Sequence, residues 1–151
     1  MDLTVELRRI VDALDQADTA YALAGGLAVS VYTAPRATED IDLFLAREDL
    51  PRAIAALLPL GFKVAGAPMR VAQGRLEIQC LLKIEGRDLL PVDLLVPIDP
   101  ALAELTRDRV SMPWEGRQIV IVGRASLRTL KGLRGSGQDR VDLEALGPDL
   151  G

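Results

Sequence analysis

The sequence predicts an α+β fold, a mixed β-sheet flanked by helices. Three observations predict it. Segments of helical period and of strand period alternate along the chain, which requires helices packed on a sheet. Residues 22–45, ALAGGLAVSVYTAPRATEDIDLFL, read as a strand, a glycine break, a short helix, a loop and a second strand. Residues 76–96 hold two strand-like runs, LEIQCLLKI and DLLPVDLLV, on either side of Gly86, an apparent hairpin. The length of 151 residues suits one domain, 1–151, with a single sizeable core.

The elements follow in order. Residues 4–17 place Val5, Leu7, Ile10, Val11 and Leu14 on one helical stripe, with Thr4 as the N-cap. YALAG is a short buried strand that Gly25-Gly26 ends, and LAVSVYTA is the helix after it. Residues 41–46 form the next strand. Asp49 caps a helix that holds Pro51 in its first turn and stops at Gly61. A weak strand lies near Arg70–Ala72, then come the two hairpin strands. Pro100 opens a helix to about Arg109, and QIVIV is one more short strand. Ser126 caps a helix over SLRTLKGL; Gly135, Ser136 and Gly137 loop; DRVDLEAL is a last helix. Residues from about 125 to 147 thus form a C-terminal helical pair packed on the core. No repeat or low-complexity segment interrupts this order.

Composition narrows the function classes. Hydrophobic residues make up 49%, too many for a disordered chain. Aromatics are 3%, which disfavours nucleic-acid binding by stacking on exposed rings. Lys and Arg total 18 against 22 Asp and Glu, so binding to nucleic acid driven by net charge is disfavoured. The chain has no histidine, which removes His-based triads, imidazole general bases and the common zinc sites. The one cysteine, Cys80, sits in the apolar run IQCLLKI and reads as a small buried hydrophobe. The N-terminus has no apolar signal core, and no apolar run reaches membrane-spanning length. The expectation is a cytoplasmic protein with no membrane partner.

One feature of the second strand resists a purely structural reading. Asp40 and Asp42 lie two apart, so on a strand they point the same way, while Ile41, Leu43 and Leu45 point into the core. Two neighbouring carboxylates repel unless a cation neutralises them, and hard divalent cations such as Mg²⁺ favour oxygen ligands. The plainer alternative is a turn-forming Asp40 and a solvated Asp42. The glycines upstream favour a site: Gly25-Gly26 lets backbone approach a ligand, and the following helix N-terminus favours phosphate. Neither the P-loop pattern nor the dinucleotide-binding GxGxxG occurs.

Taken together, LAGGLAVSVY and PRATEDIDLFL resemble the core motif of the nucleotidyltransferase superfamily, whose fold is shared with DNA polymerase β. In that pattern a strand meets Gly-Gly or Gly-Ser, a helix follows, and Asp-x-Asp opens the next strand. A third acid comes from a later strand, matched here by Asp93 in PVDLLVP. The run of Arg36, Thr38, Asp40 and Asp42 is similar to the AbiEii-type branch, which includes toxins of toxin–antitoxin pairs. The tail resembles that branch too, in Lys131, Asp139 and Asp142.

The resemblance implies transfer of NMP from an NTP to an acceptor hydroxyl, with release of pyrophosphate. It assigns Asp40, Asp42 and Asp93 to catalysis and to Mg²⁺, in a two-metal arrangement. It assigns Gly25, Gly26, Arg36, Thr38 and Lys131 to the nucleotide. Three readings of the function stay open at this point. One is a toxin-like transferase acting on tRNA or protein, with an antitoxin partner. Another is a transferase for a small molecule of the aminoglycoside type. The last is a non-catalytic nucleotide-binding or partner-binding module, since the second glycine stands where many active transferases carry serine.

Overall fold

The computed structural model describes residues 1–32 and 40–134. Arg36, Thr38, Asp139 and Asp142 lie outside the described residues, as do the Gly135–Gly137 loop and the last helix.

Helix α1 (Leu3–Gln16) starts at Asp2, whose carboxylate accepts from the Val5 amide at 3.1 Å; the cap is Asp2, not Thr4. Leu7, Ile10, Val11 and Leu14 are buried as expected, but Val5 is 45% exposed and Glu6 is 3% exposed. At 100° per residue Val5 falls nearly opposite Leu7, whereas Glu6 flanks the stripe.

The chain then runs through strand β1 (Ala22–Ala24), helix α2 (Gly25–Tyr32), strand β2 (Ile41–Phe44) and helix α3 (Leu50–Leu57). Pro51 sits in the first turn of α3 and Asp49 precedes it, although the Asp49 side chain makes no capping bond. A 3₁₀ turn extends α3 to Gly61, whose φ of 100° ends it in a conformation suited to glycine. Strands β3 (Lys63–Val64), β4 (Met69–Val71), β5 (Leu76–Glu85) and β6 (Asp88–Pro97) follow. Gly86 takes a φ of 62° as the first of the two residues in the β5–β6 turn.

The helix expected from Pro100 to Arg109 is shorter. Helix α4 covers Pro100–Ala103, a 3₁₀ turn reaches Arg107, and strand β7 (Arg109–Trp114) begins at the residue meant to end the helix. This strand pairs with β8 (Arg117–Val122) through a turn in which Glu115 and Gly116 both have positive φ. Pro113 argues against a central strand, but β7 lies at the sheet edge, where proline is tolerated. Helix α5 (Arg124–Arg134) starts two residues before Ser126, so Ser126 lies in its first turn rather than at its cap.

The sheet has the order β3-β5-β6-β2-β1-β8-β7, with β4 also paired to β5. The β2–β6 and β1–β8 pairs are parallel and the others antiparallel, so the sheet is mixed. Helices α1 and α3 pack together on one face, over Ile41, Leu43, Leu81, Val92 and Leu94. On the other face α2 and α5 pack together, and α5 brings Leu127 and Leu130 against Leu76 and Leu95. This is the α+β architecture that the sequence predicts.

Candidate active site

The site lies on the α2–α5 face. Strands β2 and β6 are parallel neighbours, and their register sets Asp42 directly beside Asp93. Parallel neighbours in register point their side chains the same way. Asp93 is therefore on the face of Asp42 and not on an opposite one. Asp40 precedes the first residue of β2 and is exposed, Asp42 is 5% exposed, and Asp93 is half-buried. Ligand oxygens of the three acids lie within 4.8 Å of one another. Thus three carboxylates from two strands and a loop meet at one point.

Gly25 closes the site from behind. Its φ is 64°, and a Cβ at this position would overlap the carboxylate of Asp42. The absence of a side chain therefore makes room for Asp42 itself. Sequence reasoning reserved that room for a ligand; the structure shows that a neighbouring acid occupies it first. Gly26 follows in the first turn of α2, whose N-terminus opens beside the acids.

Lys131 has a setting the sequence did not foresee. A lysine on this helix would by default face water, yet it is 5% exposed. It lines a crevice with Ala24, Gly25, Leu76, Leu95 and Leu127, which places its chain alongside the glycine turn. Arg36 and Thr38 are not among the described residues.

Sequence reasoning missed Cys80 as a neighbour of the site. It is half-buried on β5 and pairs across the hairpin with Asp93. Burial pushes its thiol up to about 11, aided by a hydrogen bond to Asp93 and by the negative charges of Asp93 and Asp42. The signal was available: from the Glu85–Asp88 pair at the turn, stepping back along both strands sets Cys80 opposite Asp93.

The donor set fits a divalent cation. Three carboxylates offer only oxygen, the ligand atom that Mg²⁺ prefers, and a cation offsets the repulsion of three like charges. The close packing of Gly25 on Asp42 limits how far that carboxylate can turn away.

Fold and site together define a nucleotidyltransferase. Residues 7–94 match the family described as nucleotidyl transferase AbiEii toxin, type IV TA system, and the match spans more than half of the chain. The chain belongs to this family. No curated protein matches it. Among solved structures it is similar to ANT(2″)-Ia in complex with adenylyl-2″-tobramycin, with 17% identity, a TM-score of 0.65, and 98% of this chain and 89% of that chain covered. It is similar also to the lincosamide antibiotic adenylyltransferase LnuA with lincomycin bound, at 18% identity and a TM-score of 0.60 over 94% of each chain. The protein TM1012 of Thermotoga maritima shares 12% identity at a TM-score of 0.64, over 91% of this chain and 88% of that one. At such identities these likenesses speak for the fold. Among the described residues, no helix is long and apolar enough to cross a membrane.

Proposed function

We propose that the protein transfers NMP from an NTP to an acceptor hydroxyl at the carboxylate cluster, and that Asp40, Asp42 and Asp93 hold Mg²⁺ there. The observation that carries this reading is the meeting of the three acids within 4.8 Å beside the Gly25 turn. When bound, Mg²⁺ would neutralise phosphoryl oxygens and favour displacement at the α-phosphorus.

The protein's own groups have separable roles. Asp42 and Asp40 fix the metal end of the triphosphate. Asp93, the half-buried member, accepts the proton of the acceptor hydroxyl as its oxygen bonds to the α-phosphorus. The α–β phosphoanhydride breaks and pyrophosphate leaves. Amides at Gly26 and the start of α2 face the phosphates, where a helix N-terminus favours negative charge. Lys131 neutralises triphosphate charge from within its crevice, and Arg36 and Thr38 add contacts to the nucleotide on this reading.

The family description, a toxin of a type IV TA system, supports a toxin role with an antitoxin as partner; on this reading the acceptor is tRNA or a protein. A second reading, a small cationic acceptor, draws on the antibiotics held by two structural neighbours and on the net charge of −4. The test is transfer of label from each α-³²P NTP into cell RNA, cell protein or an aminoglycoside panel. Label in RNA or protein supports the toxin reading, and label in the panel alone supports the second. No label from wild type in any arm contradicts both.

A further inference from the structure

We propose that Asp108 is a positioning residue for the nucleotide, acting through α5 on Lys131; the inference rests on the nucleotide role of Lys131 given above. Asp108 follows the 3₁₀ turn after α4 and precedes β7, well away in sequence from every site residue. Its carboxylate accepts the hydroxyl hydrogen of Ser126 at 2.6 Å. It also packs against Gly123, the residue before α5, where a Cβ would overlap it. The Gly123 amide in turn donates to the Asp108 carbonyl at 2.9 Å. A carboxylate from a distant segment thus sits at the start of α5, the end of a helix that favours negative charge. Ser126 is 3% exposed, so loss of its acceptor strands a buried hydroxyl.

A second tie fixes the same helix end. The Tyr32 hydroxyl donates to the Val122 carbonyl at 2.8 Å, and the Arg124 guanidinium lies 5.7 Å from the centre of the Tyr32 ring. Helices α2 and α5 therefore run antiparallel, Tyr32 beside Arg124 at one end and Gly25 beside Lys131 at the other. The span from Arg124 to Lys131 is about 10 Å of helix. Turning α5 by one residue, about 100°, would carry Lys131 out of the crevice. Asp108 fixes where the helix begins and how it is turned, and so where the lysine points.

The experiment is a double-mutant cycle read by calorimetric NTP affinity in Mg²⁺, using whichever of ATP, CTP, GTP and UTP binds wild type most tightly. Asp108→Ala weakens that NTP by about tenfold, the size of one charge-assisted hydrogen bond. Ser126→Ala weakens it in the same direction, and Ser126→Thr, which keeps the hydroxyl, restores it. In a Lys131→Met background the Asp108 substitution costs less than about twofold, because the group it positions is gone. An equal loss in both backgrounds overturns the proposal, as does a loss with Ser126→Thr as large as with Ser126→Ala. Should Asp108→Ala not fold, Asp108→Asn and Ser126→Ala in the same cycle decide. If Lys131→Met leaves affinity unchanged while Asp42→Asn removes it, the lysine's role and this inference fall and the metal reading stands. If wild type binds no NTP, both fall.

Discussion

The two faces of the sheet both bury charge, but they do so in opposite ways. Under α1, Lys83 of β5 meets Glu6 at 2.9 and 3.0 Å, and both side chains are nearly sealed from water. The lysine also lies 5.8 Å from the centre of the Phe62 ring. Each charge there has its opposite, and the pair ties the first helix to a strand far along the chain. On the α2–α5 face three carboxylates of one sign converge. A fold gains nothing from such convergence by itself, since like charges at short range oppose one another. The contrast separates charge that serves architecture from charge to which the proposed function gives a ligand.

The largest effect is expected from Asp42→Asn, which should lower NMP transfer on the order of a thousandfold, about 4 kcal/mol of transition-state stabilisation. The melting temperature should not fall with it, because a repelling charge has been removed. A loss of activity accompanied by unfolding would put Asp42 on the architectural side.

Next is the opposite face. Lys83→Met should cost about 3 kcal/mol in denaturant unfolding, because Glu6 is left as a buried charge. The double change Glu6→Leu with Lys83→Met should return to within about 1 kcal/mol of wild type. Neither should alter the KM for NTP in folded protein. A double variant as unstable as the single one would show that packing at this spot, not charge pairing, is what matters.

Gly25→Ala should act on the site face through shape. Its Cβ would displace Asp42, and the backbone conformation disfavours a side chain. A loss of about a hundredfold in turnover is expected from misplacing a reacting group, with a smaller loss of stability. Retained turnover would show that Asp42 tolerates a shifted position.

The smallest effect is at the periphery. Asp99 caps α4, and the hydrogen bond from Arg75 at 2.7 Å, followed by the one from the Ala101 amide, holds its carboxyl below the usual range. A carboxyl depressed in the folded state contributes stability above its unfolded pKa of about 3.9 and loses it as pH falls through the lower folded value. Asp99→Asn should therefore narrow the gap in melting temperature between pH 7 and pH 3. An unchanged gap would remove Asp99 from the acid response.

What could be read in the sequence was local. The strand, Gly-Gly, helix and Asp-x-Asp lie within one short segment, and the pattern of each element is visible there. Asp93 could be named only through its match to the motif, because alternation in PVDLLVP by itself would equally set it on a solvent face. Strand β7 could not, since Pro113 and its exposed residues hide a strand whose pairing comes from β8. The burial of Glu6 was equally hidden: nothing near it announces a partner 77 residues away. The resemblance names Lys131 for the nucleotide, but its burial is not legible, because helical periodicity does not say that a glycine turn leaves a crevice beside it. Cys80 became a neighbour of the acids only through hairpin register. Local pattern located most of the elements and the Asp40–Asp42 pair; distant pairing set Asp93 beside them and decided which other side chains surround them.

The most direct test of the carboxylate site is thermal. Mg²⁺ with the bound NTP at about a hundred times its Kd should stabilise wild type by about 2.7 kcal/mol and raise its melting temperature. The same mixture should leave Asp42→Asn unmoved. An equal rise in both proteins, or no rise in wild type with any of the four NTPs, would contradict a site built on these three acids.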